Sequence, residues 1–344
     1  MDGPVNPWRA RHDPHRTPEV DGVAAASETG GVAHATVRRQ AVRMTADGTA
    51  ARRLLDTLAV EEPLEIQLDG EPFTTTMRTP GHDLDLALGF LVGEGVVVRP
   101  DDVVRAAHCP DAATPPRERV AALVPAAGVV TVPAGGVADG RATDTANDTA
   151  NDTATSTHNV VTVDLAPGVP RPARERHRHV TSACGVCGTA TVDETRARSP
   201  YDLRDDATRV AASTLAGLPA TMRRAQRGFD RTGGLHAAAL FAPGGRLLCL
   251  REDVGRHNAL DKVVGWAFAR GELPLAGHVL QVSGRASFEL VQKAALAGCP
   301  VLAAVSAPSS LAVDLAAETG MTLVGFSRGD RFTVYAGADR VTPA

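Results

Sequence analysis

From about residue 201 onward, apolar runs of five or six residues alternate with amphipathic stretches of ten or more, and this alternation constrains the fold more than any other feature. Short apolar runs bounded by Gly, Pro or Ser read as buried strands, and longer stretches with a 3.6-residue period read as helices. The order is helix 207–226, strands 236–241 and 246–250, helix 256–269, strand 278–282, helix 287–297, strand 301–305, helix 309–318 and strand 322–326. Such alternation predicts a sheet with helices on both faces, so residues 201–344 are expected to form a C-terminal α/β domain.

The first half reads differently. Strands are expected at 64–68 and 73–77 around the turn Asp69-Gly70. RTPGHDLDLALGFLVGEG then opens a helix, with Asp83 as its N-cap and Leu84, Leu88 and Leu91 on one face, and a strand follows at 160–165. These elements predict a smaller N-terminal α+β domain over 37–200. Two stretches have no period. Residues 1–36 mix Pro, Gly, Ala and charge, and residues 109–158 contain the repeat TANDTANDTAT. Neither can bury enough apolar surface to offset the entropy of ordering, so the first is expected to be a disordered tail and the second a low-complexity insertion.

The chain's 344 residues allow about two domains. Its 36 Lys and Arg against 40 Asp and Glu leave a formal charge of −4, with no basic excess for a phosphate backbone, so no nucleic-acid partner is expected. Five cysteines are too few, and odd in number, for a disulfide scaffold, and a cytoplasmic setting is expected. The N-terminus MDGPVNPWRARHDPHRTPEV breaks with charge and proline the apolar run that a signal peptide needs. Residues 120–138, a long uncharged stretch, are mostly Ala, Gly and Val with Pro125 and Pro133 inside, and no membrane span is expected.

Chemistry concentrates in the segment 176–188, RHRHVTSACGVCG. Cys184 and Cys187 stand three residues apart, each followed by a glycine, just after Arg176, His177, Arg178 and His179, whose charge favours thiolate over thiol. Several uses remain open from the pair alone. His177 and His179 can complete a Cys₂His₂ zinc site, and two nearby thiols suit redox or sulfur exchange. A zinc deaminase is disfavoured, because Ala183 precedes Cys184 where P-C-x-x-C is required and no H-x-E occurs upstream.

Further motifs narrow the choice. Arg78-Thr-Pro-Gly81, Leu88-Gly-Phe90, Gly93-Glu-Gly95, Cys184-Gly-Val-Cys-Gly188, REDVGRHNALDK over 251–262, Ser283-Gly-Arg-Ala-Ser287 and Ser306-Ala-Pro-Ser-Ser310 occur in one order. Together the chain resembles the formate dehydrogenase accessory sulfurtransferases, the FdhD family, over roughly residues 37–108 and 158–340. The resemblance implies a cytoplasmic homodimer that accepts persulfide sulfur from a cysteine desulfurase. It would pass that sulfur to the molybdenum bis-guanine-dinucleotide cofactor (Mo-bis-MGD) destined for formate dehydrogenase. It also implies a C-terminal domain similar to cytidine deaminase without the zinc ligands, Cys184 as the persulfide cysteine with Cys187 as its neighbour, and a cofactor-binding stretch at Phe326, Ser327, Arg328, Gly329, Asp330 and Arg331. No resident metal is expected, and GDP is a partial mimic of the cargo.

The residues support a compatible chemistry by themselves. Pyrophosphates need cationic side chains and exposed backbone N–H groups, and Arg256, Lys262, Gly284, Arg285, Arg328 and Arg331 fall at expected strand-to-helix turns or strand ends, where open α/β sheets bind ligands. The plainer readings are that Asp253 caps the helix after it, His257 is structural, Arg285 and Ser287 are helix-start polar residues, and Cys249 and Cys299 are core thiols. An alternative function is a non-catalytic chaperone for the cofactor, with a structural zinc or an inert cysteine pair.

Overall fold

The computed structural model describes residues 35–109, 159–171 and 199–343, and the backbone of 178–180. The expected tail up to residue 34, most of the insertion, and the pair Cys184 and Cys187 lie outside the described residues.

Strands β1 (Thr36–Met44) and β2 (Ala51–Ala59) pair antiparallel in a two-stranded ribbon of their own. β3 (Glu62–Leu68) and β4 (Glu71–Arg78) join through Asp69 and Gly70, with φ of 51° and 82°, as a tight two-residue hairpin requires. With β5 (Val103–His108), β6 (Val160–Leu165) and β7 (Arg178–Val180) they form a five-stranded sheet ordered β5-β6-β3-β4-β7. The alternation along these strands buries Leu64, Ile66, Val161 and Val163 on one face.

Helix α1 (Asp83–Gly93) packs on that sheet. Asp83 does not cap it. The N-cap is His82, at φ 57° and without a side-chain cap bond. The Asp83 carboxylate instead takes two 3.0 Å bonds from Arg78 Nε and Nη2, because that guanidinium is fully buried and requires a paired charge.

After a short β8 (Val210–Ala211) come α2 (Ala212–Ala225), α3 (Arg227–Thr232), β9 (His236–Phe241), β10 (Leu247–Asp253), α4 (Arg256–Phe268), β11 (Val279–Val282) and α5 (Phe288–Leu296). The chain continues through β12 (Val301–Ala304), α6 (Ser310–Thr319), β13 (Thr322–Arg328), β14 (Arg331–Ala336) and β15 (Val341–Thr342). The six-stranded sheet is ordered β10-β9-β11-β12-β13-β14, with β11, β12 and β13 parallel and the flanking pairs antiparallel. The mixed α/β architecture expected from the sequence is present. The helix expected from residue 207 begins only at Ala212, because Val210 and Ala211 pair in parallel with β15, a partner far along the chain.

Alternate residues of the sheet feed two cores. Ala237, Ala239, Phe241, Val279 and Val301 meet Leu215, Leu218 and Met222 of α2 on one face. Ala238, Leu240, Leu280 and Leu302 join Leu260, Val263 and Leu290 on the other, and this second core runs without interruption through Leu86 and Leu91 to Leu64 and Ile66. Helix α1 is thereby fixed against α4, which sets the Arg78–His82 loop beside the end of β10.

Candidate functional site

The parallel strands β11, β12 and β13 end at one edge of the sheet, beside the start of β9 and the end of β10. Beyond β11 and β12 the segments Ser283–Ser287 and Ser306–Ser310 continue side by side. Ser306 N donates to Gly284 O at 3.2 Å, Ser309 N donates to Ala286 O at 3.0 Å, and Ala286 bridges Pro308 in parallel. Phe326 N donates to Ser306 O at 3.2 Å, extending the layer to the third strand. Gly325 permits this approach, since a Cβ there would meet Pro308 Cδ and the Tyr335 ring at 2.9 Å.

Arg256, at the first position of α4, has a buried Nε–H with no acceptor among the described residues. Gly284 lies beside it, where an added Cβ would sit 3.5 Å from His236 Nδ1 and 3.9 Å from Arg256 Cδ. Arg285 is exposed on the neighbouring turn. Arg328 Nε donates to Val305 O at 2.9 Å, and its guanidinium carbon stands 5.9 Å from the Phe326 ring centroid. Phe326 holds φ at 50°, a left-handed conformation unfavourable for a bulky side chain, with 42% of its surface exposed. Ser327 is fully buried, and its Oγ has no partner. An orphaned guanidinium N–H, an orphaned hydroxyl and an exposed aromatic ring at one edge fit an anionic, base-bearing ligand. Gly329, at φ 59°, and Asp330 form the turn into β14; Arg331 pairs with Asp330 at 3.6 Å in nearly full exposure, further out than Arg328.

Lys262 is placed differently from the other cations. It is 1% exposed, and its ammonium donates to Asp253 Oδ2 at 2.7 Å and Thr79 O at 2.8 Å. Asp253 also accepts from Thr79 N at 3.1 Å, Gly255 N at 2.8 Å and Asn258 Nδ2 at 3.1 Å, so each carboxylate oxygen has two donors. Asp253 thus does more than cap α4, whose N-cap is Gly255: it ties the Arg78–Gly81 loop to the start of that helix. Lys262 lies beneath the edge, its ammonium held by the Asp253 carboxylate and the Thr79 carbonyl.

Two residues of the edge, His236 and Glu289, carry no signal in the sequence. His236 Nδ1 lies 3.5 Å from Ser283 Oγ, and burial, then the charges of Arg256 and His257, lower its pKa and keep the ring neutral. Glu289 meets His257 Nε2 at 2.7 Å, and this hydrogen bond, ahead of other influences, holds its carboxyl below the usual range. The same His257 nitrogen lies 3.3 Å from Ser287 Oγ, so serine and carboxylate share one ring nitrogen and cannot act as a nucleophile relay. His236 and Ser283 are 47 residues apart, and no local pattern joins them. Cys249 and Cys299 are core thiols as expected, both pushed up to about 12 by burial and inert as nucleophiles. Among the described residues no helix is long and apolar enough to cross a membrane.

A family model described as FdhD/NarQ matches residues 59–342. A "Sulfur carrier protein FdhD" of Streptomyces coelicolor is 50% identical over 309 residues, covering 89% of this chain and 95% of that protein. One of the same name from Mycobacterium tuberculosis is 49% identical over 311 residues, 90% of this chain and 99% of its own. The crystal structure of a chain described as a formate dehydrogenase accessory protein, from Desulfotalea psychrophila, superposes with a TM-score of 0.59 at 19% identity, covering 89% of this chain and 99% of that one; it shares the fold. With a model match over most of its length and relatives half identical nearly end to end, this chain belongs to the FdhD/NarQ family.

Proposed function

We propose that this chain is a sulfur carrier in formate dehydrogenase maturation: Cys184 takes sulfur from a cysteine desulfurase and delivers it to Mo-bis-MGD held at the carboxyl edge of the six-stranded sheet. The observation that carries this reading is the near-complete match to relatives named sulfur carrier protein, together with the Cys184-Gly-Val-Cys187 motif in this sequence.

In the first step the Cys184 thiolate attacks the terminal sulfur of the donor's persulfide. A new S–S bond forms on Cys184, the donor's S–S bond breaks, and the donor leaves as a thiolate. The basic run at 176–179 favours the attacking thiolate. In the second step the Cys187 thiolate attacks Cys184 Sγ, closing a disulfide and releasing the outer sulfur with its electron pair, as sulfide, to the molybdenum of the cargo. A cellular dithiol then reduces the disulfide.

At the sheet edge Arg256, Arg285 and Arg328 receive the pyrophosphates, and the Phe326 ring offers a stacking surface for guanine. Neutral His236 can donate a hydrogen bond there without adding charge. The carrier works in the cytoplasm as a homodimer.

The test is complementation of a strain that lacks its own carrier. Cys184→Ala should abolish formate dehydrogenase activity while the variant accumulates folded, and Cys187→Ala should give a milder loss, because a cellular thiol can replace Cys187 in attacking Cys184 Sγ. Full activity with Cys184→Ala contradicts the reading.

A further inference from the structure

The sheets and helices of the described body bury apolar faces, but the β1–β2 ribbon does not. It holds four of the eight large apolar side chains exposed among the described residues: Val42, Met44, Leu55 and Leu58. The register sets Gln40 opposite Leu55, Val42 opposite Arg53, and Met44 opposite Ala51. Directly paired residues share a face, so Val42, Met44 and Leu55 lie on one face with Arg38 and Arg53. A two-stranded ribbon is marginal in water alone, and this one touches the body through β2 against α3.

Its charge is as unusual as its exposure. Residues 36–59 contain five arginines and two aspartates, a net of +3, in a chain whose total is −4. On the ribbon's other face Arg43 stands directly opposite Arg52, a like-charge pairing that is unfavourable. The ribbon has no aromatic residue on which a nucleic-acid base could stack. Arginine among exposed Met, Val and Leu is instead the composition of a protein–protein contact.

A complementary surface exists on the same chain. On α6 the exposed Leu311, Asp314 and Glu318 follow one another at i, i+3 and i+7 along one face. The turn holding Asp202 and Asp205 abuts that helix, since the Arg204 guanidinium donates to Glu318 O. On exposed side chains Asp202, Asp205, Asp314 and Glu318 against Arg204 give a net of −3, opposite in sign to Arg38 and Arg53 on the apolar face of the ribbon, with Leu311 as the apolar element.

We infer that the ribbon is an arm that lays its Arg38–Val42–Met44–Arg53–Leu55 face on the acidic α6 surface of a second copy of this chain. A two-fold axis repeats the contact, so two arms close the dimer. This rests on the dimer of the proposed function and not on its sulfur chemistry; sulfur loading of Cys184 is read separately, so either can fail alone.

The test uses two full-length variants. One has a reversed arm, Arg38→Glu with Arg53→Glu; the other has a reversed surface, Asp205→Arg with Asp314→Arg. All four side chains are exposed, and near-UV circular dichroism checks the fold. If the first variant aggregates, Met44→Asp with Leu55→Asp replaces it for the single-variant measurement. Light scattering over a dilution series should give dimer mass for the wild type, weakening with salt, and monomer mass for each variant alone. An equimolar mixture of the two charge-reversed variants should regain dimer mass, because both of its contacts are complementary again. A monomeric wild type, a variant that stays dimeric alone, or a mixture that stays monomeric overturns the inference, the last also if the arm's true occupant is another acidic protein.

Discussion

Gly89 of α1 and Gly265 of α4 meet backbone to backbone: a Cβ on Gly89 would stand 1.8 Å from Asp261 O, and one on Gly265 1.8 Å from Asp85 O. This crossing joins the N-terminal helix to the helix that opens at the candidate site. An alanine at a helical glycine ordinarily gains about 1 kcal/mol in propensity. Here no rotamer relieves the clash, and overpacking of this kind costs about 1–3 kcal/mol or more, so the two helices must separate. Gly89→Ala and Gly265→Ala should each lower the denaturation midpoint, and an unchanged or raised midpoint would show that the helices do not cross this closely.

Lys262 separates support from binding. Its ammonium is buried on Asp253, and removing one member of a buried pair costs about 3–5 kcal/mol because the other charge is stranded. Lys262→Met should therefore destabilise the fold by that order. A variant of wild-type stability that loses GDP binding would place this lysine in the ligand site instead.

His82 gives the fold an acid-sensitive element. Burial first, then the charges of Arg251 and Lys262, push its pKa down to about 4 from 6.5. Between those values the unfolded chain binds a proton that the folded chain does not, so stability rises with pH across this window and is lost on acidification. With 42% of the side chain exposed, screening reduces the effect to about 1 kcal/mol. His82→Gln should flatten the unfolding free energy between pH 6.5 and 4, and an unaltered slope would assign the acid sensitivity elsewhere.

What the sequence made legible was local. Strands 236–241 and 160–165 and helix 256–268 follow from uninterrupted patterns and appear almost residue for residue. The β1–β2 ribbon was hidden because its arginines interrupt any apolar alternation, and β8 because its partner β15 lies some 130 residues away. At the site the cations Arg256, Arg285 and Arg328 were readable as strand-end residues. Lys262 carries the same charge in the same motif, and only its burial against Asp253 and Thr79 assigns it a supporting role. His236 and Ser283 came together through the pairing of β9 with β11, and Glu289 met His257 through helix packing, neither of which residue spacing encodes.

Arg328 and Arg331 should contribute unequally to the proposed binding of the cargo. Arg328 is anchored on Val305 O beside Phe326, whereas Arg331 is almost wholly exposed on the turn. Calorimetry with GDP should show a larger loss for Arg328→Ala, of about 1.5–3 kcal/mol for a charge-assisted contact, than for Arg331→Ala. Equal losses would move the phosphate contact toward the turn, and no loss from either would move it toward Arg256 and Arg285.

Intact mass spectrometry of the purified chain, after incubation with a cysteine desulfurase and cysteine, tests sulfur carriage most directly. The account predicts a gain of one sulfur atom that dithiothreitol removes, present in the wild type and in Cys187→Ala and absent from Cys184→Ala. A chain that gains no sulfur, or a Cys184→Ala variant that gains it equally, would contradict the account.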